Sequence, residues 1–216
     1  MSTSKSNLAL AVTGLIALVI GLGIFNFQSP PGDIALDEQL QHATYLYDQQ
    51  VAIPDFEFID NHGRSFTKDN IRDQWTLWFF GFTHCPDICP TTLATLSHSL
   101  ALIEQQQNID DLAIVFVSVD PERDSPEHIN NYISGFDSRI IGTSAYDQSL
   151  SVFLKNMGII ATLNKANEHS TEYLVDHSSA VYLIAPNTAI SAVFNTPHQA
   201  STIAGDFITI RSHITP

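Results

Sequence analysis

The stretch WTLWFFGFTHCPDICP, Trp75 to Pro90, decides the fold. Its first half, Trp75 to Phe82, is almost continuously apolar, as a strand buried on both faces should be. Leu93, Leu96, Leu100 and Ile103 then recur at helical spacing. Pro90 suits the first helical turn, and Thr91, Thr92 and Thr95 can face water. Between strand and helix lie both cysteines of the chain, Cys85 and Cys89, with three residues between them. Ligand and catalytic sites of open α/β sheets gather at this carboxyl edge of the strands.

Working outward, LAIVFVSVD (Leu112–Asp120) reads as a second buried strand. Ser125-Pro126-Glu127 gives an N-cap, a proline at the first helical position and an acid in the first turn of a second helix. A third helical pattern runs through Leu150, Phe153, Leu154 and Met157. Upstream, FEFID, NHG and RSF read as two short strands around a glycine turn. Downstream, AVYLIAP and AISAVF read as a hairpin around Pro186-Asn187-Thr188, followed by a helix with Ile203, Phe207 and Ile210. The order predicts an α/β sheet with a parallel centre and an antiparallel edge. A thioredoxin-like layout with an extra N-terminal β-hairpin and insertions fits it.

The N-terminal segment predicts the compartment. Leu8 to Phe25 is uncharged, and only Thr13 is polar. As a helix it would be roughly 27 Å long, enough for a hydrocarbon core. The expected organisation is a short cytoplasmic N-terminus (1–7), a transmembrane anchor (8–25), a linker (26–50) containing Pro30-Pro31, and a domain at 51–216. An uncleaved anchor fits better than a signal peptide, because the apolar stretch is long and no A-x-A site follows it. The domain would then face an oxidising space such as a bacterial periplasm.

Of the 216 residues, 44% are hydrophobic, which suits a packed core. The formal net charge of −14 argues against nucleic acid, whose phosphates demand a basic face. Two cysteines cannot build a disulfide scaffold.

The cysteine pair admits several uses: a disulfide switch, a structural bridge, or two arms of a metal site. A helix N-terminus favours thiolate, so both cysteines are expected to be more acidic than a free one. Three intervening residues, stiffened by Pro86 and Pro90, make a wide loop suited to holding two sulfurs around an ion. Among nine histidines, His177 is the best third ligand. It lies in YLVDHSSAVYLI just before an apolar strand, at a turn that in thioredoxin-like folds lies against the cysteine-bearing helix. No proline stands there. Two thiolates and an imidazole suit Cu(I), and Cu(II) with an added ligand. Zinc accepts the same donors but prefers four.

GFTHCPDICP, SVDPERDSP and YLVDHSSAVYLI together, in this order, resemble the Sco/SenC family of membrane-anchored copper chaperones; NTPHQASTIAGD is similar to the family's C-terminal region. The resemblance spans roughly Ile53 to Ile210. It implies a thioredoxin-like fold, copper held by Cys85, Cys89 and His177, and delivery to the copper-bearing subunit of cytochrome c oxidase or to another copper chaperone. It also implies anchoring in the inner membrane with the domain in the periplasm. One departure is Thr91-Thr92, where many members carry acids; it touches the helix surface. The rival function is a thiol–disulfide reductase acting through Cys85 and Cys89. Loss of His177 separates the two. Peroxide reduction needs neither a proline-rich CxxxC nor the histidine.

The other polar residues read more plainly. His84 is expected to point away from the metal. Asp87 reads as loop chemistry or as charge behind the metal ligands. Asp120, Glu122 and Asp124 read as a turn with a helix cap, since calcium would need more oxygen ligands at better spacing. His198 reads as a surface residue.

Overall fold

The computed structural model describes residues 15, 36, 38–46, 51–167 and 170–214. The expected anchor, Leu8 to Phe25, lies outside the described residues save for Leu15. Among the described residues no helix is long and apolar enough to cross a membrane. The chain divides into two compact units, Met1–Glu38 and Gln39–Pro216; the second carries every element below.

Among the described residues of this unit, eleven strands and four α-helices follow in order: β1 (Ala43–Tyr45), β2 (Val51–Ala52), β3 (Glu57–Asp60), β4 (Ser65–Thr67), β5 (Trp75–Gly81), α1 (Ile88–Glu104), β6 (Leu112–Ser118), α2 (Pro126–Ile133), β7 (Ile140–Ser144), α3 (Gln148–Asn156), β8 (Ala161–Asn164), β9 (Leu174–His177), β10 (Val181–Ile184), β11 (Ala189–Phe194) and α4 (Ala200–Ile214). The main sheet runs β1-β11-β10-β5-β6-β7-β3-β4, with β2 also on β11. Strands β5, β6 and β7 are parallel, and every other pairing is antiparallel.

Every residue of β5 and β6 is buried. That is what an apolar run without alternation encodes, since a central parallel strand shows neither face to water. Trp75↔Leu112 through Gly81↔Ser118 sets the register, so both strands end at the same edge. Helix α1 turns Leu93, Leu96, Leu100 and Ile103 inward and packs against α4. Its Thr92 is also buried rather than facing water. The hairpin β3–β4 turns through Gly63 at φ +78°, a left-handed backbone that favours glycine. Helix α2 starts as its sequence dictates: Ser125 accepts a hydrogen bond from the His128 N–H, and Pro126 opens the first turn.

Three further features depart from the sequence reading. Ala43–Tyr45, inside the segment read as a linker, is a strand on β11. Buried Asp206 of α4 holds it there, accepting from the N–H groups of Gln41, His42 and Ala43. A third parallel strand, β7, extends the sheet beyond β6. Finally, β8 and β9 form a separate two-stranded sheet, so His177 ends a strand of its own rather than sitting in a bare turn.

Candidate metal centre

The carboxyl edge of β5 and β6 is where the polar side chains converge. Strand β5 ends at Gly81, and the chain passes through Phe82, Thr83 and His84 to Cys85. Buried Asp124, in the loop after β6, fixes this passage. Its carboxylate accepts from the Thr83 N–H at 2.9 Å, the Thr83 hydroxyl at 2.6 Å and the Ser118 hydroxyl at 2.5 Å. The acid read as turn chemistry is therefore a buried anchor for the cysteine loop, and the charge-assisted bonds offset its desolvation. Asp87 takes the N-cap position of α1 without a side-chain capping bond; it is exposed.

Both cysteines are free. Cys85 is partly exposed and its Sγ accepts the Cys89 N–H at 3.4 Å. Cys89 is fully buried. Burial pushes its thiol up, a tendency that the Phe82 backbone N–H opposes and Cys85 reinforces. This corrects the expectation of two acidified thiols: for Cys89, loss of solvent outweighs the helix terminus. Gly81 explains how the sulfur fits. A Cβ at that position would lie 2.9 Å from Cys89 Sγ and 3.0 Å from the rings of Phe79 and Phe116. Only glycine leaves the space, a requirement invisible in the sequence.

His177 approaches from β9. Its Nε2 lies 3.5 Å from Cys89 Sγ. Its Nδ1 sits 3.1 Å from the Ser178 carbonyl oxygen, which makes Nδ1 the donor and leaves the Nε2 lone pair toward the sulfur. The ring meets Phe79 and Phe82 edge-on, at 6.1 and 5.8 Å. Burial lowers its pKa, so the imidazole is neutral at neutral pH and free to ligate. Cys85, Pro86, Ile88, Phe82, Leu174 and His177 line a groove of about 300 Å³.

Two further contacts hold the histidine arm. Arg123 bonds buried Asp120 at 2.5 Å, donates to the Tyr173 carbonyl at 3.0 Å and stacks 3.5 Å from the Tyr173 ring centroid. The Tyr173 hydroxyl donates to Asp120 at 2.7 Å. On the far side, His198 Nε2 meets the Ser179 carbonyl at 2.8 Å. His198, read as a surface residue, is half-buried and braces the turn after His177. The signal for Arg123 and Asp120 was present in SVDPERDSP, but nothing in one sequence says that the loop reaches Tyr173, 50 residues on.

The donor set passes a simple fit test. With bonds of about 2.3 Å to sulfur and 2.0 Å to nitrogen, a 3.5 Å separation of Sγ and Nε2 subtends roughly 110° at an ion. Cys85 sits on the open side of the groove, so an ion held here would stay within reach of incoming ligands.

A thioredoxin-like domain with two thiols and an imidazole at the carboxyl edge of its parallel strands defines a class: a thiol-bearing domain able to hold a soft ion. The SCO1/SenC family profile matches residues 45–211, and the chain belongs to that family. It is 32% identical to the mitochondrial SCO1 homolog 1 of Arabidopsis thaliana over 68% of this chain and 43% of the relative. It is 30% identical to the human mitochondrial SCO2 homolog over 82% of this chain and 65% of the relative. The chain thus spans under two thirds of these relatives' length. Among solved structures, copper-bound ScoI of Arabidopsis thaliana superposes with a TM-score of 0.68 at 29% identity, covering 76% of this chain and 98% of the other. Copper-bound ScoI of Bradyrhizobium japonicum gives 0.65 at 29%, covering 76% and 99%.

Proposed function

We propose that this protein is a copper metallochaperone: it binds one copper ion through Cys85, Cys89 and His177 and hands it to the copper centre of cytochrome c oxidase during assembly. The observation that carries the reading is the 3.5 Å approach of His177 Nε2 to Cys89 Sγ, from a strand 88 residues away in sequence. Copper is cargo here, and the geometry suits cargo. Three donors leave a soft ion coordinatively unsaturated, and Cys85 offers the exposed end from which a recipient's thiolates or imidazoles can take over by ligand exchange. The family relation and the copper-bound neighbours support the same reading. We read residues 8–25 as an inner-membrane anchor for a domain facing the periplasm, with the oxidase's copper-bearing subunit or a second copper chaperone as partner. The rival reading is a thiol–disulfide reductase acting through the free pair Cys85 and Cys89; a reductase should tolerate loss of His177, whereas a three-ligand copper site should not.

The test is an anaerobic Cu(I) titration of reduced residues 29–216 against a competing chelator. The expected result is tight one-to-one binding, abolished by Cys85→Ser/Cys89→Ser. Weak binding, or binding that survives loss of both sulfurs, would overturn the proposal.

A further inference from the structure

A second ligand cluster lies beside the cysteine loop. His84, Asp124 and His128 bring ligand atoms within 4.8 Å of one another. His84 comes from the loop, Asp124 from the segment after β6 and His128 from the first turn of α2. The imidazole rings lie nearly parallel, 9° apart with centroids at 5.1 Å. His84 Nδ1 is 3.4 Å from Asp124 Oδ1 and 3.2 Å from the Thr83 hydroxyl oxygen.

The carboxylate has room for an ion. An ionised carboxylate offers about four acceptor positions. Oδ2 uses two, on the Thr83 N–H and the Ser118 hydroxyl. Oδ1 uses one, on the Thr83 hydroxyl. The remaining position of Oδ1 is on the atom nearest the His84 ring. Both histidines are exposed, whereas Asp124 is buried. The two histidines, with Glu122 and Glu172, line a cleft of about 530 Å³. Arg123, in the same cleft, is engaged by Asp120 and Tyr173. Opposed ligands on an ion with bonds of about 2.0–2.1 Å stand roughly 4 Å apart. The ligand atoms here lie within 4.8 Å of one another, with His84 Nδ1 and Asp124 Oδ1 at 3.4 Å.

We propose that His84, Asp124 and His128 form a second metal site, selective for a borderline divalent ion and separate from the thiol site. Two imidazoles and one carboxylate are nitrogen and oxygen donors, so the site takes Cu(II) in preference to Zn(II), in the Irving–Williams order. It does not suit Cu(I), which the sulfurs of the neighbouring loop bind. The two sites share the chain segment His84-Cys85 and sort ions by softness. The net charge of −14 favours cation capture in either.

The experiment uses the full chain in detergent with Cys85→Ser/Cys89→Ser, so the thiols contribute nothing. Cu(II) is titrated and followed by electron paramagnetic resonance. The expected result is one equivalent with a nitrogen- and oxygen-ligated signal. His128→Ala or His84→Ala should weaken it at least tenfold, whereas His177→Ala should leave it unchanged. Circular dichroism checks that these surface variants stay folded. In the chain with both cysteines, His128→Ala should leave Cu(I) affinity unchanged. Absence of a stoichiometric Cu(II) signal, a signal indifferent to His84 and His128, or one lost with His177 would overturn the proposal. Each of those outcomes leaves the Cu(I) result at the sulfurs standing.

Discussion

The two arms of the candidate metal centre are built in opposite ways. The cysteine arm is an extension of the core. It leaves one of the two fully buried strands of the sheet, is fixed by a carboxylate with no exposure, and enters a helix whose inner face is packed. The histidine arm ends a two-stranded sheet of which Leu163 and Leu174 stand exposed. What holds it is a short chain of contacts, Asp120 to Arg123 to Tyr173, with His198 behind. A two-stranded sheet is marginal alone. The sulfurs are thus placed by the fold, and the imidazole by a local polar anchor. In the proposed chaperone role that division is useful: the two sulfur donors would be rigid, and the third would yield when cargo leaves.

Removing Arg123 should break the comparison most strongly. Arg123→Ala leaves Asp120 buried without its cation, a loss of about 3–5 kcal/mol in unfolding free energy. Hydrogen exchange should rise across Leu174–His177 and stay slow in β5, and Cu(I) affinity should fall to the level of His177→Ala. Equal loosening of both arms would refute the division. Gly81→Ala attacks the other arm. The new methyl meets Cys89 Sγ and two phenylalanine rings, an overpacking cost of about 1–3 kcal/mol, read by denaturant titration. It should displace the sulfur and weaken Cu(I) binding while the β8–β9 hairpin keeps its exchange protection.

The proton balance differs between the arms as well. Burial raises the Cys89 thiol and lowers His177. At neutral pH the thiol must lose a proton to bind copper and the imidazole need not. Apparent Cu(I) affinity should therefore rise by about tenfold per pH unit for each thiol proton released. The dependence should persist in His177→Ala at reduced affinity. A flat profile would contradict the protonated Cys89. Smallest is Tyr173→Phe, which removes one bond to Asp120 and keeps the ring under Arg123. It should cost about 1 kcal/mol and lower copper affinity only slightly, as measured by the same titrations.

What the sequence disclosed follows the same line. Residues whose neighbours are close in the chain were legible: the apolar runs of β5 and β6, the Ser125-Pro126 helix start, the two hairpins, the cysteine loop. Ile140–Ser144 was not, because Gly142, Thr143 and Ser144 carry no apolar run. They become a strand by pairing with β6, by Thr143 donating to the Ile59 carbonyl and by Ser144 donating to that of Ser118. Ala43–Tyr45 depends on partners some 150 residues away. His177 was found by its donor type and position, yet its support from Arg123 and His198 came only with the fold. Gly81 was illegible because its reason is the space that Cys89 needs.

The measurement that tests the account most directly is copper K-edge X-ray absorption of the Cu(I)-loaded protein and of its His177→Ala variant. The account predicts two sulfur donors and one nitrogen donor in the first, and loss of the nitrogen with both sulfurs retained in the second. A sulfur-only environment that is the same in both would contradict it.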